Sequence, residues 1–169
     1  MKVKQMDNSI QNYFHYASQV LGIRQIIRPE TESEVSAIVK DVFTTRTGHW
    51  PESKRFDVLV INVTPGQSLF ADSVFELYQK MKYAMGLNAL NVLELQTSEI
   101  PTEHQWNELF HRISAKAVLV FAGVGDAQHL VGYDGFIVQT ISPVILIEQE
   151  LLKRQAWTDA QRLMRFLGV

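Results

Sequence analysis

Three polar segments, each following an apolar run, hold the residues with chemical potential. They are Asn62-Val63-Thr64-Pro65-Gly66-Gln67-Ser68, Ala122-Gly123-Val124-Gly125-Asp126 and Ser142-Pro143. The first enters a helix, where unpaired backbone N–H groups receive an anion, or where Pro and Gly only shape the turn. The second has the outline of a phosphate-cradling G-x-G. It lacks the third glycine of a dinucleotide fingerprint and reads better as a tight packing turn. Ser142 has the hydroxyl of a nucleophile, but no G-x-S-x-G context and no neighbouring His surround it. A hydroxyl without an activating base is inert.

The remaining titratable residues do not assemble into a reaction centre. His15, His49, His104, His111 and His129 show no metal-ligand spacing. Asp72, Asp126 and Asp134 fall near turns, where a carboxylate caps backbone N–H groups. The chain has no cysteine, which excludes disulfides, thiolate nucleophiles, zinc fingers and iron–sulfur clusters. No cofactor and no metal are expected. Sixteen Lys and Arg stand against eighteen Asp and Glu, a formal charge of −2, so the surface as a whole has no attraction for a phosphate backbone. Direct nucleic-acid binding is expected to be weak. The amino-terminal residues lack a signal-peptide core and no apolar run approaches membrane-spanning length, so a cytoplasmic protein without membrane contact is expected.

The elements that would position these residues follow an alternating pattern. Residues 1–30 form an arm, with Tyr13, Phe14 and Tyr16 leading to Leu21-Gly22-Ile23 and Ile26-Ile27-Arg28-Pro29. Ser9 caps an expected helix that ends at Gly22, and Ile23–Arg28 reads as extended. Residues 31–55 hold a helix, opened by the capping box Thr31-x-x-Glu34 and striped by Val35, Ile38, Val39 and Val42. A polar loop over 44–55 follows. From residue 56 the core reads as strands at Asp57–Val63, Leu90–Leu95, Ala117–Phe121 and Phe136–Ile141. Helices are expected at Leu69–Met85, from Thr102 through Ile113, around Asp126–Val131 and at Thr158–Leu167. Continuous apolar strands alternating with helices predict an α/β fold, with a central four-stranded, mainly parallel sheet between two helical layers.

Three ordered segments resemble the uracil-DNA glycosylase superfamily, above all its iron–sulfur branch. LFADSVFELYQKMKYAMGL (69–87) looks like the stretch after that family's first motif, where a PFVG-type segment leads into a helix. AVLVFAGVGDAQHLVG (117–132) is similar to the strand and glycine turn written ILALGRxAAxxLLG, and SPVILIEQELLKRQAWTDAQRL (142–163) to the closing HPSxLLRNPxxKRxAWxDLQxL. The resemblance implies a three-layer α/β/α glycosylase-like fold. It also marks what is missing. The family's GExPG motif and its water-handling acidic residue match Asn62, Val63, Thr64, Pro65 and Gly66, and the acidic residue is gone. The family's leaving-group His matches Ser142, and only Pro143 survives. Base excision needs a shaped pocket, a positioned water and stabilisation of the departing base. The expected reading is a glycosylase fold whose pocket, at Asn62, Thr64, Pro65, Gly66, Ser142 and Pro143, is vestigial.

A silent version of this fold resembles the psi subunits of bacterial DNA polymerase III. YFHYASQVLGIRQIIRP (13–29) is similar to their LGIxxWxxR-type segment through Leu21, Gly22, Ile23, Arg28 and Pro29, with Ile26 at the Trp position. This resemblance implies a clamp-loader subunit whose partners are the chi subunit, which links to single-stranded DNA-binding protein, and the clamp-loader ATPase subunits. Tyr13, Phe14, Tyr16, Leu21, Ile23, Ile26, Ile27 and Arg28 are then partner-binding, the aromatics acting as anchors. The same side chains equally suit packing against their own sheet. An alternative function is a divergent glycosylase-like enzyme acting on a nucleobase through Asn62, Thr64 and Ser142. A third reading gives residual DNA binding to Lys153, Arg154, Arg162 and Arg165, which otherwise form a solvated helix face.

Overall fold

A computed structural model describes residues 39–51, 54–125, 130 and 132–169. The arm at 1–30, with its eight partner-binding residues, lies outside the described residues, as do most of the helix expected over 31–42 and of the one around Asp126–Val131. What is described of the former is helical at its end, and Val39 and Val42 are buried as the stripe requires.

Among the described residues five strands form one sheet: β1 (Phe43–Thr44), β2 (Arg55–Asn62), β3 (Val92–Thr97), β4 (Ser114–Ala122) and β5 (Phe136–Ile141). Their order is β1-β3-β2-β4-β5. The pairs β3–β2, β2–β4 and β4–β5 are parallel, while β1 pairs antiparallel with β3. The expected four-stranded sheet is therefore corrected to a mixed sheet of five. β1 is two residues long, too short to show any period, and belonged in expectation to the end of a helix and the start of a loop. Its Phe43 is fully buried and packs on Trp106, ring centroids 5.2 Å apart, which accounts for the chain turning into the sheet there.

Helices cover both faces. α1 (Asp72–Ala84) connects β2 to β3 on one face, where Val74 and Tyr78 pack with Val58, Val60, Leu119 and Phe121. Gly86, at φ 70°, ends it in a left-handed conformation that suits glycine. Tyr78 is its most deeply buried residue, whereas Ala84 is exposed. α2 (Glu103–Arg112) connects β3 to β4 on the other face. Its capping box is present: Thr102 Oγ1 accepts from the Gln105 N–H, and Gln105 Oε1 accepts from the Thr102 N–H. Trp106, Leu109 and Ile113 seal it against Leu59, Ile61, Val118 and Val120.

Two helices close the chain. α3 (Pro143–Glu148) starts with Ser142 as N-cap and Pro143 at the first position, and a 3₁₀ turn (Glu150–Leu152) leads into α4 (Lys153–Leu167). α3 was not expected, although Ser-Pro is a helix-start signal. α4 begins five residues before the expected Thr158, because its first turn, Lys153-Arg154-Gln155, carries no apolar residue to mark it. Ala160 and Leu163 pack it on the α1 side of the sheet.

Candidate functional site at the carboxyl end of the sheet

The strands alternate strictly. Val58 and Val60 face α1, Leu59, Ile61 and Val63 face α2, and Asn62 continues the α1 side where the hydrophobic series ends. In the parallel register Asn62 pairs with Gln96 of β3 on one side and with Phe121 of β4 on the other. Asn62 and Gln96 thus lie side by side on one face. The strand order reverses between β2 and β4, and open α/β sheets receive ligands in a crevice at the carboxyl end of their strands.

The crevice is filled by an amide network. Asn62 Oδ1 accepts from Thr64 Oγ1 at 2.9 Å and from Ser142 Oγ at 2.8 Å. Asn62 Nδ2 donates to Gln96 Oε1 at 3.0 Å and to the Gln67 carbonyl at 3.3 Å. Gln96 Oε1 also accepts from the Leu69 N–H at 2.7 Å, and Gln96 Nε2 donates to the carbonyls of Gln67 and Thr97 at 3.1 and 3.0 Å. Thr97 Oγ1 donates to the Asn62 carbonyl. A primary amide offers two donor hydrogens and two lone pairs, and Asn62 uses all four. Asn62 and Ser142 are 0% exposed and Thr64 is 8% exposed. Leu69, also fully buried, closes the α1 side, and the Phe70, Phe75, Tyr78 and Phe121 rings form a series of T-shaped and tilted contacts.

The fold therefore brings together Asn62, Thr64 and Ser142. Pro143 adjoins them at the start of α3, but Pro65 and Gly66 lie in an exposed turn. The Ser142 hydroxyl donates to an amide oxygen, which takes no proton, and accepts from the Val144 N–H as a helix cap. In the turn after β2, four N–H groups are already engaged within the chain. Gln67 donates to the Thr64 carbonyl, Leu69 to Gln96, Phe70 to Ser68 Oγ and Ala71 to the Ser68 carbonyl. Gly123–Gly125 form a turn in which a side chain at Gly125 would meet open space.

Elsewhere, His49, His104 and His111 are exposed, and among the described residues no group of three or more His, Asp or Glu is placed to hold a metal. Lys153, Arg154, Arg162 and Arg165 are exposed on α4, with Lys153 paired to Glu150 at 2.8 Å and Arg162 to Asp159 at 3.9 Å. Sequence reasoning missed an apolar cleft of about 250 Å³ between α1, α3 and α4, lined by Leu77, Met81, Met85, Leu146 and Trp157. Among the described residues no helix is long and apolar enough to cross a membrane. A scan against protein-family models finds no match, and a search of curated proteins finds none.

Proposed function

We propose that this chain is a noncatalytic, psi-type subunit of a bacterial DNA polymerase III clamp-loader complex, built on a glycosylase-like fold and bridging the ATPase subunits to chi and to single-stranded DNA-binding protein. One observation carries the noncatalytic part. The side chains that would have to bind a base and position a water, Asn62, Thr64 and Ser142, spend their polar groups on one another and on Gln96. Among the described residues these three side chains bond to one another and to Gln96, an arrangement that speaks against the divergent-enzyme reading.

The partner assignment rests on the sequence resemblance. Its three core segments fall on α1, on β4 with its following turn, and on α3 through most of α4. Four adjacent strands of the sheet, β3-β2-β4-β5, run parallel, in keeping with the layered architecture that resemblance implies. Partner contacts fall to the arm, where Tyr13, Phe14 and Tyr16 supply rigid anchors that gain most when desolvated. The test is co-expression of the full chain with the chi subunit of the same organism, read by size-exclusion chromatography. The two are expected to co-elute as a stable complex, and separate elution at micromolar concentration contradicts the proposal.

A further inference from the structure

The Gln96 side chain sits in a setting complementary to a carboxamide at both of its polar atoms. Two donors, Leu69 N–H and Asn62 Nδ2, converge on its oxygen, and two acceptors, the Gln67 and Thr97 carbonyls, receive its nitrogen. The orientation of the amide is fixed by backbone groups, because an N–H only donates and a carbonyl only accepts. A carboxylate would lose both donor contacts and face two carbonyl oxygens, and an alkyl group would leave buried backbone groups unpaired. The arrangement is selective for –CONH₂. It lies at the carboxyl end of the parallel strands, the end at which open α/β sheets receive ligands.

We propose that this crevice is a carboxamide-binding site which Gln96 fills in cis, so that it is closed by its own side chain and accepts a small primary amide once that side chain is withdrawn. In the intact chain an incoming amide competes with a group held at high effective concentration. The same bonds help to hold the exposed turn over residues 65–68 through the Gln67 carbonyl, which Asn62 Nδ2 holds as well. This inference does not depend on the psi-type reading, since it concerns only what the crevice recognises.

Gln96→Ala deletes a fragment that acetamide reproduces: its methyl stands for Cγ and its amide for the rest. The full-length variant is melted with acetamide, acetate or N,N-dimethylacetamide, and amide exchange at Leu69 is followed in parallel. Acetamide is expected to raise the variant's melting temperature saturably and to slow Leu69 exchange, at concentrations that leave the wild type unmoved. The other two compounds are expected to do neither. An equal response to all three, an equal response in the wild type, or no response overturns the proposal. Should Gln96→Ala not fold alone, refolding in acetamide but not in acetate supports the proposal. Failure in both, with Gln96→Ser equally indifferent to acetamide, overturns it.

Discussion

Asn62 shows how a residue placed for chemistry becomes a structural one. Its amide joins β2 to β3 through Gln96, to the following turn through Gln67 and Thr64, and to the cap of α3 through Ser142. Truncation to alanine leaves the buried Thr64 and Ser142 hydroxyls without their acceptor. Asn62→Ala is therefore expected to cost about 3 kcal/mol, read as a lower urea midpoint at unchanged slope; a loss within the range of ordinary surface substitutions contradicts the network's role. Asn62, Thr64 and Ser142 were legible in the sequence as polar residues closing apolar runs. Gln96 was not. The strand expected over Leu90–Leu95 stops short of it, and its partnership with Asn62 is set by a parallel register across 34 residues. Glu94 shares the face of Gln96, accepting from the Tyr78 hydroxyl and pairing with Lys82. Burial and the adjacent Glu94 carboxylate push the Tyr78 phenol far above its ordinary pKa.

At the level of elements, the opposite end of the sheet is stitched by Asp57. Its carboxylate pairs with Lys116 of β4 at 2.6 Å and accepts from the Asn91 N–H just before β3. The Lys116 hydrogen bond, then the Asn91 N–H, hold the Asp57 carboxyl below the usual carboxylate range. A carboxyl whose pKa is depressed by folding stabilises the fold above its ordinary pKa and loses that contribution as pH falls toward the folded value. Urea midpoints of the wild type are expected to decline through this acid window, and Asp57→Asn to decline less; parallel curves would remove Asp57 from the account. β5 and the capping box of α2 were legible to the residue, since local signals define both. β1 was not, because two residues carry no period and Phe43 is drawn into the sheet by tertiary contact with Trp106. The missed α3 is six residues long, and its start signal was read instead as a candidate nucleophile.

Among the described residues, the two helical faces meet a sheet at whose carboxyl end, where an α/β protein ordinarily binds its ligand, neighbouring polar side chains bond to one another. The α/β class and the parallel core could be read from strand composition alone, because buried parallel strands are apolar on both faces. Whether the crevice was open could not, since closure depends on which polar side chains meet across strands. The absence of cysteine and of the acidic and His residues of the glycosylase motifs agrees with that closure, though each alone excludes only one chemistry. The central claim is that the crevice binds and excises no base. Its most direct test is base release from uracil-containing single-stranded DNA by the purified full-length chain. The expected result is no release above the protein-free rate, for the wild type and for Asn62→Ala alike. Release by the wild type that Asn62→Ala abolishes, in a variant shown to remain folded, would contradict it.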